Sequence, residues 1–153
     1  MKDLKFRQMT VEDVPAVLEI ERECLLSPWS AEGYRAELSR NDSGMFIVEN
    51  IDEDKTEIIG FVAARLITSA NEGEILNIAV RRAFRKRGIG ALLLLEIKDF
   101  LKSNAVRSVF LEVRKSNLAA REFYRRNGFE FCGERKNFYT NPAEDALVLK
   151  LNL

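Results

Sequence analysis

Seven residues, Arg85-Lys86-Arg87-Gly88-Ile89-Gly90-Ala91, place three cations and two glycines between an apolar run and a helical one. The apolar run is Glu74-Ile75-Leu76-Asn77-Ile78-Ala79-Val80, and the helical pattern spans Leu92 to Leu101. A strand, a basic turn and a helix in that order make an anion site. The first N–H groups of a helix have no partner inside it, and they lie at its positive end. Glycine lets a ligand approach the backbone, while arginine and lysine add charge. Phosphate is the ligand that this chemistry fits.

The motif separates the phosphate chemistries. A P-loop needs Gly-Lys-Ser/Thr after its spacer, because the lysine and hydroxyl serve the terminal phosphates and magnesium; here Ala91 follows Gly90. A dinucleotide turn needs a third small residue in G-x-G-x-x-G/A after the first strand. Leu93 stands at that position, and several strands come before it. The pattern Q/R-x-x-G-x-G/A is met by Arg85, Gly88 and Gly90.

Composition limits the rest of the chemistry. The 153 residues carry 24 lysines and arginines against 24 aspartates and glutamates. This balance argues against a general nucleic-acid binder. There is no histidine, so the commonest general base and metal ligand are missing. Catalysis must use carboxylates, tyrosine, serine, lysine or the backbone, and no metal site is expected. Cys24 and Cys132 fit no metal spacing and read as two buried free thiols. Met1-Lys2-Asp3 leads straight into an alternating strand pattern, unlike a signal peptide. No apolar run is long enough to span a membrane. A cytoplasmic protein of one domain, residues 1–153, is expected.

The elements that must hold the basic turn follow from periodicity. Leu4 to Met9 alternates as a strand. Thr10, with Asp13 three positions on, caps a helix to about Glu23. Leu25 to Trp29 breaks that helix, and Ser30 caps a short one to about Leu38. Met45–Glu49 and Ile58–Ser69 read as strands around a charged loop, 50–56. Glu74–Val80 is the strand before the basic turn. On the following helix Ile89, Leu92, Leu93, Ile97, Phe100 and Leu101 share one face. Val109–Arg114 is a strand, and Leu118–Arg126 a helix capped by Asn117 or Ser116. Phe129–Arg135 and Ala146–Leu151 are strands joined by a loop, 137–145. The order is β-α-α-β-β-β-α-β-α-β-β.

Two further residues could act on a substrate. In the strand Val109–Arg114, Phe110, Glu112 and Arg114 face opposite to Val109, Leu111 and Val113. A carboxylate beside Phe110 has the partial desolvation that a base working near neutrality requires. The strand pattern by itself favours a solvated Glu112 or a partner for Arg114. Tyr124 shares a helical face with Ala120, Phe123 and Asn127. Spacing alone makes it a core aromatic, although a phenol is also a proton donor at neutral pH.

Arg85, Gly88 and Gly90, the strand Asn77-Ile78-Ala79-Val80, and Asn117-Leu-Ala-Ala-Arg-Glu-Phe-Tyr124-Arg-Arg-Asn-Gly128-Phe129 together resemble the GNAT acetyltransferases over nearly the whole chain. Pro28-Trp29-Ser30, Leu111-Glu112-Val113-Arg114 with Ser116-Asn117, Arg135 to Tyr139, and Glu144-Asp145-Ala146 are similar to the bacterial ribosomal-protein-alanine branch. Phe138, where that branch commonly has tyrosine, and a shorter loop before Glu144 are departures near the expected peptide-binding edge.

The resemblance implies an α/β GNAT fold, a mixed sheet of about seven strands flanked by about four helices. It implies acetyl-CoA as co-substrate. The pyrophosphate would be held by the backbone of Lys86 to Ala91 beside Arg85 and Arg87. The pantetheine arm would lie along Ile78, Ala79 and Val80, paired with the backbone groups of Ile78 and Val80, with Asn117 either bonding it or only capping its helix. Glu112 becomes the general base and Tyr124 the general acid of direct transfer to a protein N-terminus, with a small-subunit ribosomal protein as expected partner. Trp29 and Tyr139 would line the peptide groove. The alternatives are another amine acceptor, such as a lysine or polyamine, or a non-catalytic acetyl-CoA-binding module. A monomer or weak dimer that binds neither nucleic acid nor membrane is expected.

Overall fold

The computed structural model describes residues 3–24 and 29–153. Its main elements are β1 (Asp3–Gln8), α1 (Val14–Glu23), α2 (Ser30–Leu38), β2 (Ser43–Asp52), β3 (Lys55–Ile67), β4 (Glu72–Val80), α3 (Ile89–Ser103), β5 (Ser108–Arg114), α4 (Leu118–Arg126), β6 (Glu130–Tyr139) and β7 (Glu144–Asn152). They form one seven-stranded sheet in the order β1-β2-β3-β4-β5-β7-β6. Each neighbouring pair is antiparallel except β4 and β5. Those two are joined by α3, and a parallel pair needs such a crossover.

The sheet divides two cores. On one face Ile89, Leu93, Leu94, Ile97 and Leu101 of α3 pack on Val62, Ala64, Val109 and Leu111, with Tyr124 of α4 in the same cluster. Full burial of such side chains contributes roughly 1.5–3 kcal/mol each. On the other face Val14, Val17, Ile20 and Tyr34 of α1 and α2 cover Ile47, Phe61 and Ala63.

Gly60 lets β3 approach both β4 and α3. A Cβ there would lie 2.9 Å from the Ala79 carbonyl oxygen, 3.1 Å from Val48 Cγ1 and 3.2 Å from Leu93 Cδ1. Backbone is the first obstacle and cannot swing aside. Gly60→Ala is therefore expected to destabilise the protein by about 1–3 kcal/mol, read as a lower urea midpoint. An unchanged midpoint would refute this packing argument.

All the expected elements occur in the expected order, with different bounds. The charged loop at 50–56 is almost entirely strand, because β2 runs to Asp52 and β3 starts at Lys55. The loop at 137–145 shrinks likewise, since β6 reaches Tyr139 and β7 begins at Glu144. Cross-strand pairing carries polar residues there that alternation alone does not mark. α3 opens at Ile89, a turn before Leu92. Asp13 Oδ2 accepts from the Thr10 N–H at 2.8 Å, as a cap would. Ser30 counts as helical, but at φ 63° its Oγ still accepts from the Gly33 N–H at 3.2 Å. The break at 25–28, including Pro28, lies outside the described residues. The thiol expectation is corrected: Cys132 is exposed because β6 is an edge strand, and Cys24, at the end of α1, is only half-buried. Among the described residues no helix is long and apolar enough to cross a membrane.

Candidate active site

β4 and β5 pair only at Glu72–Ser108, Gly73–Val109 and Glu74–Phe110. Beyond Glu74 they separate. The cause lies on the other edge of β4, where Ala63 pairs with Asn77 but Ala64 with Ile75, leaving Leu76 as an extra residue. Such a bulge bends its strand. A cleft of about 520 Å³ opens between the diverging strands, walled by β4, β5, α4 and the end of β6.

Among the described residues, the edge of β4 turned to β5 has no strand partner past Glu74. Arg81 donates its N–H to Ile59 O on β3 at 2.8 Å. Alternate residues of an antiparallel strand turn their polar groups the same way. Ala79 therefore faces β3, while Ile78 and Val80 present N–H and C=O to the open side. Of the three strand residues expected to meet the pantetheine arm, Ala79 has its backbone turned away from it. The Val80 carbonyl already accepts from Arg85 Nε at 3.0 Å and Cys24 Sγ at 3.5 Å.

The basic turn lies just past Val80. Lys86 and Gly88 both have left-handed backbones, at φ 60° and 80°. Among the described residues no carbonyl accepts from the N–H groups of Lys86 through Ala91; helical bonding starts with Leu92 N–H to Gly88 O at 3.1 Å. Consecutive free N–H groups at a helix N-terminus form a concave anion nest. A Cβ on Gly88 would meet nothing within 4 Å, so the space before the nest is open. A pyrophosphate fits this donor set. Gly90 has a different role: its Cβ would fall 3.1 Å from the Phe123 ring, so it lets α3 and α4 meet. The Arg85 side chain is spent on Val80 O and on Cys24 Sγ, 3.1 Å from Nη2. Arg87 lies over the Phe84 ring, 5.5 Å from its centroid.

Glu112 faces the cleft, with its side chain only 15% exposed. Arg114, its neighbour on that face, is not its partner. Arg114 Nη1 instead bonds Pro142 O at 3.0 Å and Glu144 Oε1 at 3.4 Å. The nearest cation to Glu112 is Arg135, at 3.6 Å. The sequence reading missed Glu74, which lines the same cleft as Glu112. Burial first, then the nearby charge of Glu112, push the Glu74 carboxyl upward. Only the pairing of β4 with β5 brings the two together.

Tyr124 also lines the cleft, at 8% exposure among Phe123 and Phe129. Burial holds its phenol above the ordinary range, so it stays protonated. Among the described residues its hydroxyl has no hydrogen-bond partner. Asn117 joins the lining and caps α4, its Oδ1 accepting from the Ala120 N–H at 3.2 Å; its Nδ2 remains for a ligand.

Trp29 and Tyr139 stand on the outer walls. The Trp29 N–H donates to Glu21 Oε2 at 3.1 Å, and the Tyr34 hydroxyl donates to the same oxygen at 2.5 Å. Glu21 and Tyr34 are both buried. The Trp29 and Tyr34 rings meet at a tilt of 40°, 5.3 Å between centroids. Tyr139 lies under the Arg114 guanidinium, 4.4 Å away. Glu112, Tyr124, Asn117, Ile78, Trp29 and Tyr139 thus share one cleft, while Arg85 to Ala91 form a separate site that reaches it past Cys24.

The family model of the acetyltransferase (GNAT) family matches residues 14–129. The [ribosomal protein bS18]-alanine N-acetyltransferase of Escherichia coli (strain K12) is 32% identical over 143 residues, 91% of this chain and 90% of that protein. The crystal structure of the ribosomal-protein-S18-alanine N-acetyltransferase from Escherichia coli superposes with a TM-score of 0.84 at 27% identity, covering 98% of this chain and 94% of that one. Arabidopsis thaliana NAA60, solved in complex with acetyl-CoA, shares the fold at a TM-score of 0.86 and 22% identity over 99% of both chains.

Proposed function

Since the chain belongs to the acetyltransferase (GNAT) family, whose co-substrate is acetyl-CoA, we propose that it acetylates the N-terminal α-amine of a protein, with the alanine of ribosomal protein bS18 as acceptor. One observation carries the reading. A half-buried carboxylate, Glu112, and an unpartnered buried phenol, Tyr124, face one cleft beside the free edge of β4. Direct acyl transfer to an amine needs these two groups, and both are present.

Each group has its own task. An α-ammonium, with a pKa of about 7.7–8.0, must lose a proton before its nitrogen can attack. Glu112 takes that proton, directly or through water. The free N–H groups of β4 lie where a carbonyl oxygen gaining charge would be stabilised. Tyr124 gives its proton to the departing sulfur and recovers one as the new amide nitrogen loses its second. The dryness that raises the Tyr124 phenol also strengthens the sulfur's hold on a proton. The enclosing aromatic rings of Trp29 and Tyr139 suit an approaching peptide end with a positive charge.

The test is acetylation of a peptide bearing the N-terminal sequence of bS18, followed by mass. Modification of the α-amine is expected, and the same peptide with a blocked N-terminus should stay unmodified. Modification of lysine instead would overturn the acceptor assignment. Tyr124→Phe should lower turnover about 10–100-fold while leaving acetyl-CoA affinity in place; a wild-type rate would leave Tyr124 as packing only.

A further inference from the structure

We propose that Glu21 is a positioning residue for the acceptor peptide: by holding the Trp29 N–H and the Tyr34 hydroxyl on one buried oxygen, it fixes Trp29 as a wall of the cleft and so sets how tightly the peptide binds. The inference rests on the reading of this cleft as the place where a protein N-terminus is acetylated. Glu21 acts through Trp29, and it is not among the residues that line the cleft.

Three carboxyl side chains are buried among the described residues, those of Asp13, Glu21 and Glu37. Asp13 is ion-paired with Arg7, and Glu37 with Arg65. Among the described residues Glu21 pairs with no cation. Its Oε2 accepts instead from the Trp29 N–H at 3.1 Å and from the Tyr34 hydroxyl. The Tyr34 phenol is held far above its ordinary range, first by burial and then by this bond, so it stays a donor. Burying a carboxyl without a cation is costly. Apolar side chains would join α1 to α2 without that penalty. What the carboxyl adds is direction, since it ties one backbone N–H and one hydroxyl to a single point.

Trp29 needs such a tie because of where it stands. It directly precedes α2, which opens at Ser30, and it is only half-buried. It lines the cleft together with Leu76 and Asn77 of β4. Its ring leans on the Tyr34 ring, and Tyr34 in turn meets Phe61 of β3 edge-on, 6.0 Å between centroids. Tyr34 and Phe61 are fully buried. Tyr34 therefore supports the Trp29 ring from the sheet, while its hydroxyl is anchored to the same oxygen that holds the Trp29 backbone. Ring and backbone of Trp29 are both fixed through Glu21. The carboxyl also sits at the N-terminal end of α2, where an acidic group is favoured.

A wall set in place before the peptide arrives lowers the ordering cost of binding. Loss of the tie should therefore fall on peptide affinity. The chemistry stays with Glu112 and Tyr124, and the coenzyme with the nest at Lys86 to Ala91, on elements that do not carry Glu21.

The test measures kcat and KM for one alanine-ended peptide, and acetyl-CoA affinity, in the wild type, Glu21→Leu, Glu21→Gln and Tyr34→Phe. Glu21→Leu keeps most of the bulk and removes the acceptor oxygen. It should raise peptide KM about 5–10-fold, with kcat and coenzyme affinity within about twofold. Glu21→Gln keeps an acceptor oxygen and should recover most of the loss. Tyr34→Phe removes one of the two donors and should raise KM about 2–5-fold; it carries the test should Glu21→Leu fail to fold. Trp29 is the only tryptophan in the sequence, so its fluorescence reports the ring without turnover. In folded Glu21→Leu or Tyr34→Phe its emission should move to longer wavelength, and acrylamide should quench it more. In a Trp29→Ala background the same substitutions should raise KM no further. A fall in kcat with KM unchanged, unmoved fluorescence, or an equal rise in KM without Trp29 would overturn the proposal. A wild type that acetylates no alanine-ended peptide would instead remove the acceptor reading, and the fluorescence would still decide whether Glu21 holds Trp29.

Discussion

Glu112→Gln is expected to lower turnover of an alanine-ended peptide at pH 7 by about 100- to 10,000-fold, and to leave acetyl-CoA affinity within about twofold. The substitution conserves shape and removes only the charge. No structural collapse should follow, because Arg135, the nearest cation, is largely exposed and loses little when its partner goes. The anion nest at Lys86 to Ala91 is on another element and keeps its N–H groups.

The pH dependence has a definite sign. At pH 7 only about a tenth of an α-amine with a pKa near 8 is free, so a base is needed for the rest. In the variant the rate should rise about tenfold per pH unit up to that pKa, since only pre-formed free amine reacts. The wild type should be flatter over the same range. The deficit therefore narrows as pH rises through 8. A variant with wild-type rates across the whole range would show that Glu112 is not the base.

Much of this was legible in the sequence. Periods of two and 3.6 residues located every element, because each strand and helix buries one face on a core. The basic turn was readable since its chemistry is local: cations, glycines and a helix start lie within seven consecutive residues. What escaped the sequence depends on which strands become neighbours. Glu74 looked like the first residue of an ordinary strand, and only the short parallel pairing with β5 brings it into the same cleft as Glu112. Arg114 is two positions from Glu112 on the same face, yet a loop that folds over it takes its guanidinium. That Ile78 and Val80, not Ala79, turn their backbone to the open side was legible from strand alternation, whereas the bulge at Leu76 that bends β4 is a property of its pairing with β3. Gly90 shows the same limit from another side: in sequence it reads as room for a ligand, and in the fold it is room for Phe123. The buried Glu21 that holds the Trp29 N–H and the Tyr34 hydroxyl gave no signal beyond an acidic residue on a helix.

Gly88→Glu should weaken acetyl-CoA binding at least about 100-fold, a loss of about 2.7 kcal/mol, while the protein stays folded. Three properties of the position combine. At φ 80° any side chain is strained, by about 1–2 kcal/mol. A Cβ there meets nothing within 4 Å, so the strain is the whole structural cost and the core is untouched. The carboxylate then sits before the free N–H groups of Lys86 to Ala91, where it can bond them as a cap does and repel a second anion. Gly88→Ala separates these contributions: it carries the strain without the charge and should lose only a few-fold in affinity. Gly88→Asn should lose less still, since asparagine tolerates the left-handed region better than alanine. Calorimetric titration with acetyl-CoA reads all three, and thermal melts confirm the folded state. Normal affinity in a folded Gly88→Glu would mean that the pyrophosphate is held elsewhere, and the nest would then be a solvated basic turn.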